Sequence, residues 1–264
     1  MKALVLAAGL GERLRPITDE VPKPLLEIGG RPLIHYPLLM LRDAGVYDVA
    51  INVHHLAAKI EAALGTGESL AISITYSPEP VLLGTGGPLL ALRSYFAGQP
   101  FLILNGDTIM DLDLSVMIAQ HRERAAMVTM AVCQTDSPEA YSQIEIDHIG
   151  QIRRMRLLIS RAQRNFTDYP SRLTGGQSIQ LRPMMYCGAM VCEPTILDLL
   201  PASSPFSLIE NVFAPMVTQG LPLFGYVHNG FFRTIDDLES YHSLRSEFAT
   251  SSPSLPYLAR SSTW

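Results

Sequence analysis

The sequence has 264 residues, 47% of them hydrophobic and 17% charged, with 20 Lys and Arg against 25 Asp and Glu for a formal net charge of −5. That length holds one large α/β domain or two small ones, and the composition is that of a globular chain with a sizeable core. The negative balance excludes a general basic footprint for nucleic acid. An anionic substrate would have to be held by locally placed Arg, Lys, backbone N–H groups and a metal.

Cys133, Cys187 and Cys192 are odd in number and form no C-x-x-C pair, so a reducing cytoplasm is expected, without a disulfide framework or zinc site. No apolar run approaches the roughly 18 residues that span a membrane. Met1 to Gly9 is apolar like the core of a signal peptide, but it is short and Gly11-Glu12-Arg13 follows at once. It reads as a first buried strand.

In chain order, residues 2–8 predict a strand covered on both faces. A glycine loop and a Pro-rich stretch at 16–32 follow. Helical spacing over 33–44 ends at Gly45, a C-cap residue. Val46 to Val53 predicts a strand, 55–64 a helix closed by Gly65, and Ile72 to Tyr76 a strand. A Gly-rich turn at 84–87 leads into a helix over 88–97. Phe101 to Leu104 predicts a short buried strand, 115–124 a helix and Val128 to Cys133 a strand. A hairpin over 141–155 comes next, then a mobile loop over 160–182 with Arg161, Arg164, Asn165, Thr167, Arg172, Gly175 and Gly176. Met184 to Val191 predicts a strand, 194–200 and 208–219 helices, Leu221 to Val227 a last strand and 236–248 a last helix. The Ser/Pro-rich tail over 250–264 is expected to be poorly ordered.

Alternating strands and helices predict an open, mostly parallel sheet, with ligands at the carboxyl ends of its strands. The 8–13 and 105–108 loops both leave strands at that edge. Residues 1–249 read as a single domain in two halves, about 1–135 and about 136–249.

Four motifs carry chemistry. The first is Leu6-Ala7-Ala8-Gly9-Leu10-Gly11-Glu12-Arg13, with Pro22-Lys23-Pro24 downstream. Two glycines after a buried strand let backbone N–H groups approach an anion, and Arg13 and Lys23 can neutralise a triphosphate. Lys23 stands out because the chain has only Lys2, Lys23 and Lys59. The string lacks the third glycine of a dinucleotide fingerprint and the Gly-Lys-Ser/Thr of a Walker A loop. The second motif is Glu79-Pro80-Val81-Leu82-Leu83-Gly84-Thr85-Gly86-Gly87, where Gly86 and Gly87 leave room for a flat base on the backbone. The third is Leu104-Asn105-Gly106-Asp107, whose Asp at the end of a buried strand suits Mg²⁺. Asn-Gly-Asp is also a hairpin turn. The fourth is Gly230-Phe231-Phe232-Arg233-Thr234-Ile235-Asp236-Asp237. His54-His55 reads as a strand end, not a metal pair, and the Arg153–Arg164 cluster as a solvated face.

Together these motifs resemble the sugar-1-phosphate nucleotidyltransferase (NDP-sugar pyrophosphorylase) family. The nearest members in character are the compact mannose-1-phosphate guanylyltransferases, N-acetylmuramate-1-phosphate uridylyltransferases and heptose-1-phosphate guanylyltransferases. The resemblance implies a Rossmann-like three-layer sandwich with a mixed, mostly parallel sheet, of the nucleotide-diphospho-sugar transferase type. It implies catalytic cations Arg13 and Lys23. It implies nucleotide contacts at Leu6, Ala7, Ala8, Gly9, Gly11, Glu79, Gly84, Thr85, Gly86, Asn105 and Gly106. Tyr141, Ser142, Gly188 and Glu210 fall on the sugar-phosphate side, and Asp107 binds Mg²⁺. The family's second metal ligand is the Asp of a G-[YFW]-W-x-D-[IV]-G-T ending. Here Thr234 stands at that position and Asp236 two residues on, so Asp236 is taken as the ligand; the other reading is that Asp236 or Asp237 caps the last helix.

The activity implied is conversion of NTP and sugar 1-phosphate to NDP-sugar and pyrophosphate, for cell-surface polysaccharide or cell-wall precursors. No nucleic-acid or membrane partner is implied, and a homo-oligomer stays open. Ser142 replaces a usual Gly and no E-K-P sugar motif follows Arg156, which leaves base and sugar open. Two alternatives remain: a non-catalytic NDP-sugar-sensing subunit of the same fold, and a cytidylyltransferase acting on a non-sugar phosphate such as phosphocholine.

Overall fold

The computed structural model describes residues 1–135, 141–160, 165–172, 180–251 and 253–259. In chain order the strands are Lys2–Leu6 (β1), Glu27–Ile28 (β2), Arg31–Pro32 (β3), Asp48–Val53 (β4), Ser73–Pro78 (β5), Phe101–Asn105 (β6), Thr108–Met110 (β7), Val128–Cys133 (β8), Gln143–Ile146 (β9), Ile152–Ser160 (β10), Asn165–Pro170 (β11), Arg182–Cys192 (β12), Leu223–Val227 (β13) and Phe232–Thr234 (β14). Two compact units share them. One holds Met1–Leu82, Leu102–Leu114 and Gly230–Trp264, the other Leu83–Phe101 and Ser115–Asn229.

The first unit carries the strand order β6-β1-β4-β5. β1 pairs with β4, and β4 with β5, in parallel. Ala3, Leu4 and Val5 are all fully buried, as apolar runs are in a sheet covered on both faces. The helix His35–Asp43 packs on β1, and its residues Tyr36 to Leu41 are buried. Gly45 follows it in the left-handed region (φ 76°), as expected of a helix stop. Two short hairpins complete the unit: β2 with β3, and β7 with β14. The β7–β14 ladder is absent from the sequence reading, because three-residue strands are too short to show a period.

The second unit carries the order β11-β10-β9-β12, with β8 paired to β12 and β13. All these pairings are antiparallel except β13 with β8. The mixed α/β sheet expected from the sequence is present, its parallel ladders chiefly in the first unit. The hairpin over 141–155 forms as β9 and β10. Its turn is held by buried Asp147, which accepts the N–H groups of Ile149 and Gln151 and the Arg153 Nε at 2.7–3.0 Å.

Two expectations change. Residues 165–170 of the expected mobile loop are strand β11, because Phe166 lies under the Arg156 guanidinium and Asp168 pairs with it at 3.0 Å. Arg161, Arg164, Gly175 and Gly176 lie outside the described residues. The tail is also partly structured. Leu255 and Tyr257 are buried, and the turn Pro256–Ala259 packs on the helix His35–Asp43. Two apolar side chains suffice to dock a Ser/Pro-rich segment. Among the described residues no helix is long and apolar enough to cross a membrane.

Candidate active site

The first unit's parallel strands end at one edge. Gly106, just past β6, donates its N–H to the carbonyl of Leu6 at the end of β1 (2.9 Å). A Cβ on Gly106 would lie 2.8 Å from that oxygen, so only glycine lets the two strand ends approach this closely. This contact puts Leu6, Ala7, Ala8 and Gly9 beside Asn105, Gly106 and Asp107.

Beyond Gly9, Gly11 turns the chain with φ 65°, and its carbonyl accepts the Leu14 N–H and the Thr18 hydroxyl, both at 2.8 Å. Leu14 is buried as an anchor, which leaves the neighbouring Arg13 side chain 54% exposed. Lys23 starts a 3-10 turn between two prolines, and its side chain is only 14% exposed.

Two cation–carboxylate pairs result. Lys23 Nζ donates to Asp107 Oδ2 at 2.5 Å, and Arg13 donates to Asp236 Oδ1 at 3.3 Å. The chain brings Asp236 here through the β7–β14 hairpin. Thr234 pairs with Thr108, and the next residue, Ile235, donates its N–H to the Asp107 carbonyl (3.3 Å). Arg233 ties the hairpin to the helix Leu238–Thr250 through a two-pronged pair with Glu247 at 3.0 and 3.1 Å.

The adjacent aspartates have different jobs. Asp237 caps that helix, accepting the Ser240 N–H at 2.9 Å in a reciprocal capping box. Asp236 takes Arg13 instead.

The fit of a divalent metal can be tested on these residues. Asp107 Oδ1 is buried and has no hydrogen-bond partner, while its other oxygen takes Lys23. An orphaned carboxylate oxygen is costly unless something fills it. Mg²⁺ is commonly held by one or two carboxylates plus phosphate oxygens, so Asp107 and Asp236 fit it.

The two histidines serve the backbone. His54 donates from Nδ1 to the Glu79 carbonyl (2.6 Å) and His55 from Nε2 to the Thr18 carbonyl (2.7 Å). Glu79 follows β5 and is buried, and its Oε1 accepts from Asn52 Nδ2 at 2.8 Å. Sequence reasoning passed over Asn52. The one signal available was a polar residue inside the apolar run Val49 to Val53.

The other candidates belong to the second unit. There the side on which a Cβ would point is occupied at both Gly86 and Gly87. A Cβ on Gly86 would meet the Phe206 ring at 2.1 Å, and one on Gly87 the Leu83 Cβ at 2.4 Å. Gly84 lies against the Phe206 backbone, and the Thr85 hydroxyl accepts the Leu208 N–H (3.0 Å). Gly84 and Gly86 therefore admit Phe206, and Gly87 admits Leu83 and Ser204. Gly86→Ala should destabilise the protein by about 1–3 kcal/mol through overpacking, read from urea unfolding. An unchanged midpoint would show that the ring yields freely.

Ser142 Oγ accepts the Leu158 N–H (2.9 Å), which fastens β10. Tyr141 is half-buried, and Gly188 (φ 85°) sits where the β12–β8 register shifts. Glu210 is exposed, and its N–H bonds the Ser207 hydroxyl at 3.2 Å. The β10 arginines are paired: Arg153 with Asp147, Arg154 with Glu145, Arg156 with Asp168.

The sequence profile described as nucleotidyl transferase matches residues 2–156, more than half of the chain. The chain belongs to that nucleotidyl transferase family. Among its relatives, the N-acetylmuramate alpha-1-phosphate uridylyltransferase of Neisseria meningitidis is 47% identical over 116 residues, 44% of this chain and 50% of that one. The protein of Oryza sativa described as probable mannose-1-phosphate guanylyltransferase 1 is 31% identical over 246 residues, 91% of this chain and 63% of that one. This nucleotidyl transferase chain thus spans about half to two thirds of the length of those relatives. The crystal structure of HddC from Yersinia pseudotuberculosis, complexed with GMP-PN, superposes with a TM-score of 0.71 at 22% identity, covering 94% of this chain and 99% of that one. That likeness establishes the fold.

Proposed function

We propose that this nucleotidyl transferase joins an NTP to a sugar 1-phosphate and releases pyrophosphate. The observation that carries the reading is the double pair Lys23–Asp107 and Arg13–Asp236 at the carboxyl edge of the parallel strands, beside a glycine loop. Family membership and the activities for which those relatives are named support it.

The reaction is a direct displacement. An oxygen of the sugar phosphate attacks the α-phosphorus, the bond to the β-phosphate oxygen breaks, and pyrophosphate leaves with that electron pair. Lys23 and Arg13 transfer from their carboxylates to the phosphates and neutralise the charge that builds there. Mg²⁺, held by Asp107 and Asp236, supplies Lewis-acid charge neutralisation when bound. The Leu6–Gly11 loop with Asn105 and Gly106 lies on the phosphate side, and Glu79 on the base side. Gly84, Thr85 and Gly86 belong to the base side through the segment they shape. Tyr141, Ser142, Gly188 and Glu210 are the sugar-side candidates, and the three free thiols suit a cytoplasmic enzyme.

Thr234 at the family's usual Asp position favours a second reading, a sensor that binds NDP-sugar without turnover. Pyrophosphate release decides between them. GTP, UTP, CTP, dTTP and ATP are each incubated with Mg²⁺ and mannose, glucose, N-acetylmuramate, N-acetylglucosamine or heptose 1-phosphate, or with phosphocholine. Release that needs one NTP, one sugar 1-phosphate and Mg²⁺ is expected. Nucleotide binding with no release from any pair would sink the enzyme reading in favour of the sensor.

A further inference from the structure

Two monovalent cations stand on the two carboxylates that fit a divalent one. Lys23 Nζ donates to Asp107 Oδ2 at 2.5 Å, and Arg13 to Asp236 Oδ1 at 3.3 Å. All four residues belong to the first unit. The carboxylates are also tied to one another through the backbone, since Ile235, the residue before Asp236, donates its N–H to the Asp107 carbonyl. Two single positive charges on two single negative charges leave the group neutral.

A divalent ion entering alone would meet carboxylates that are already paired, and would add two positive charges beside Lys23 and Arg13. Phosphates entering alone would draw the cations off and leave two carboxylates uncompensated. Only when both enter together does every charge keep a partner. The Lys23 side chain is placed for that exchange. A Cβ on Gly11 of the glycine loop would lie 3.5 Å from Lys23 Cβ, so the side chain starts beside the loop. Its flexible four-carbon stem lets the ammonium change partners while the proline-flanked backbone stays where it is.

We propose, on the nucleotidyltransferase reading above, that Lys23, aided by Arg13, is a tethered counter-ion that keeps the two carboxylates closed to a divalent cation until a polyphosphate draws it away, so that metal and polyphosphate bind cooperatively. Lys23 then has opposite effects on two quantities. As a phosphate ligand it speeds turnover, and as a counter-ion it weakens metal binding to the empty site. Coupling between two ligands is reciprocal, so Asp107 weakens polyphosphate binding to the metal-free site for the same reason.

The first arm of the test reads Mn²⁺, which takes the same oxygen ligands as Mg²⁺, on the full chain without nucleotide, from the electron-spin-resonance signal of the free ion. Lys23→Met should bind Mn²⁺ about tenfold or more tighter than wild type, because a charge-assisted hydrogen bond no longer has to be broken. Arg13→Ala should tighten it by about twofold, since that pair is longer and its Arg13 side chain more exposed. Lys59→Met removes the same charge from an exposed lysine whose ammonium lies on the Glu20 carbonyl, and should change nothing. The gain in Lys23→Met should persist from about 0.1 to about 1 M KCl, since salt screens a field acting through solvent far more than a largely buried contact.

The second arm reads inorganic pyrophosphate by titration calorimetry in metal-free buffer. Asp107→Asn should bind it about fivefold or more tighter than wild type, because Lys23 is released to it. This arm decides by itself if Lys23→Met does not fold. Mn²⁺ binding to Lys23→Met that equals or falls below wild type overturns this inference alone. So does a gain matched by Lys59→Met or lost in high salt, and so does an Asp107→Asn protein that binds pyrophosphate no tighter. A wild-type protein that binds pyrophosphate neither with Mg²⁺ nor without it overturns the nucleotidyltransferase reading as well.

Discussion

Lys23→Met is expected to cut the rate of pyrophosphate release by about 10²–10³, on the order of 3–4 kcal/mol of transition-state stabilisation. The size follows from burial. Lys23 is 14% exposed and is set in a proline-flanked turn, so solvent screens its charge little. Its partner Asp107 would keep one oxygen without a hydrogen bond and lose the cation on the other. Arg13→Ala should fall at the lower end of the same range, because the Arg13 side chain is 54% exposed and solvent screens part of its effect. Asp107→Ala should abolish release at any Mg²⁺ concentration. Initial rates at saturating NTP and sugar phosphate test all three. A Lys23→Met enzyme within about threefold of wild type would remove the cation from the chemistry, since a lost transition-state donor costs far more than that.

The second large effect separates neighbouring residues. Asp236→Asn should lower the rate by about 10² and raise the Mg²⁺ concentration needed for half-maximal activity, as expected when one of two metal carboxylates becomes a neutral amide. Thr234→Ala should leave both nearly unchanged, because Thr234 belongs to the β14 ladder opposite Thr108. Asp237→Ala should cost about 1 kcal/mol of stability with little loss of rate, the usual effect of a lost helix cap. Mg²⁺ titrations and urea unfolding read these separately. The opposite pattern, with Asp237 or Thr234 controlling the metal and Asp236 silent, would overturn the assignment of Asp236.

Much of the first unit was legible in the chain. β1, β4 and β6 announce themselves as short apolar runs, and Gly45 and Gly65 mark where helices stop. Gly106 entered only through the resemblance, and its close approach to the Leu6 carbonyl shows only in the folded chain. Asp236 could be named, but its separation from Asp237 could not. Both are aspartates before a helix, and only the Ser240 contact shows which one the helix takes. The glycines at 84–87 make room without saying for what. Here Phe206, some 120 residues along the chain, fills it. β11 was hidden because Asn165–Pro170 alternates weakly and is stabilised from outside, by Arg156 on β10.

The chain's motifs alone were enough to point to the family and the class of fold, and to single out Arg13, Lys23 and Asp107 as candidates for the chemistry. The family and the residue roles rest on the resemblance of the motifs, and the fold class also on local rules, such as strand-length apolar runs and glycines that free the backbone. The tertiary structure decided which cation meets which carboxylate, which aspartate caps and which faces the site, and that Asn52 joins Ala7 to Glu79. The two ion pairs join positions 84 and 223 apart in the chain, and the Asn52 contacts join positions 45 and 27 apart; a hydrogen bond between such residues constrains position in space and leaves no period in the sequence.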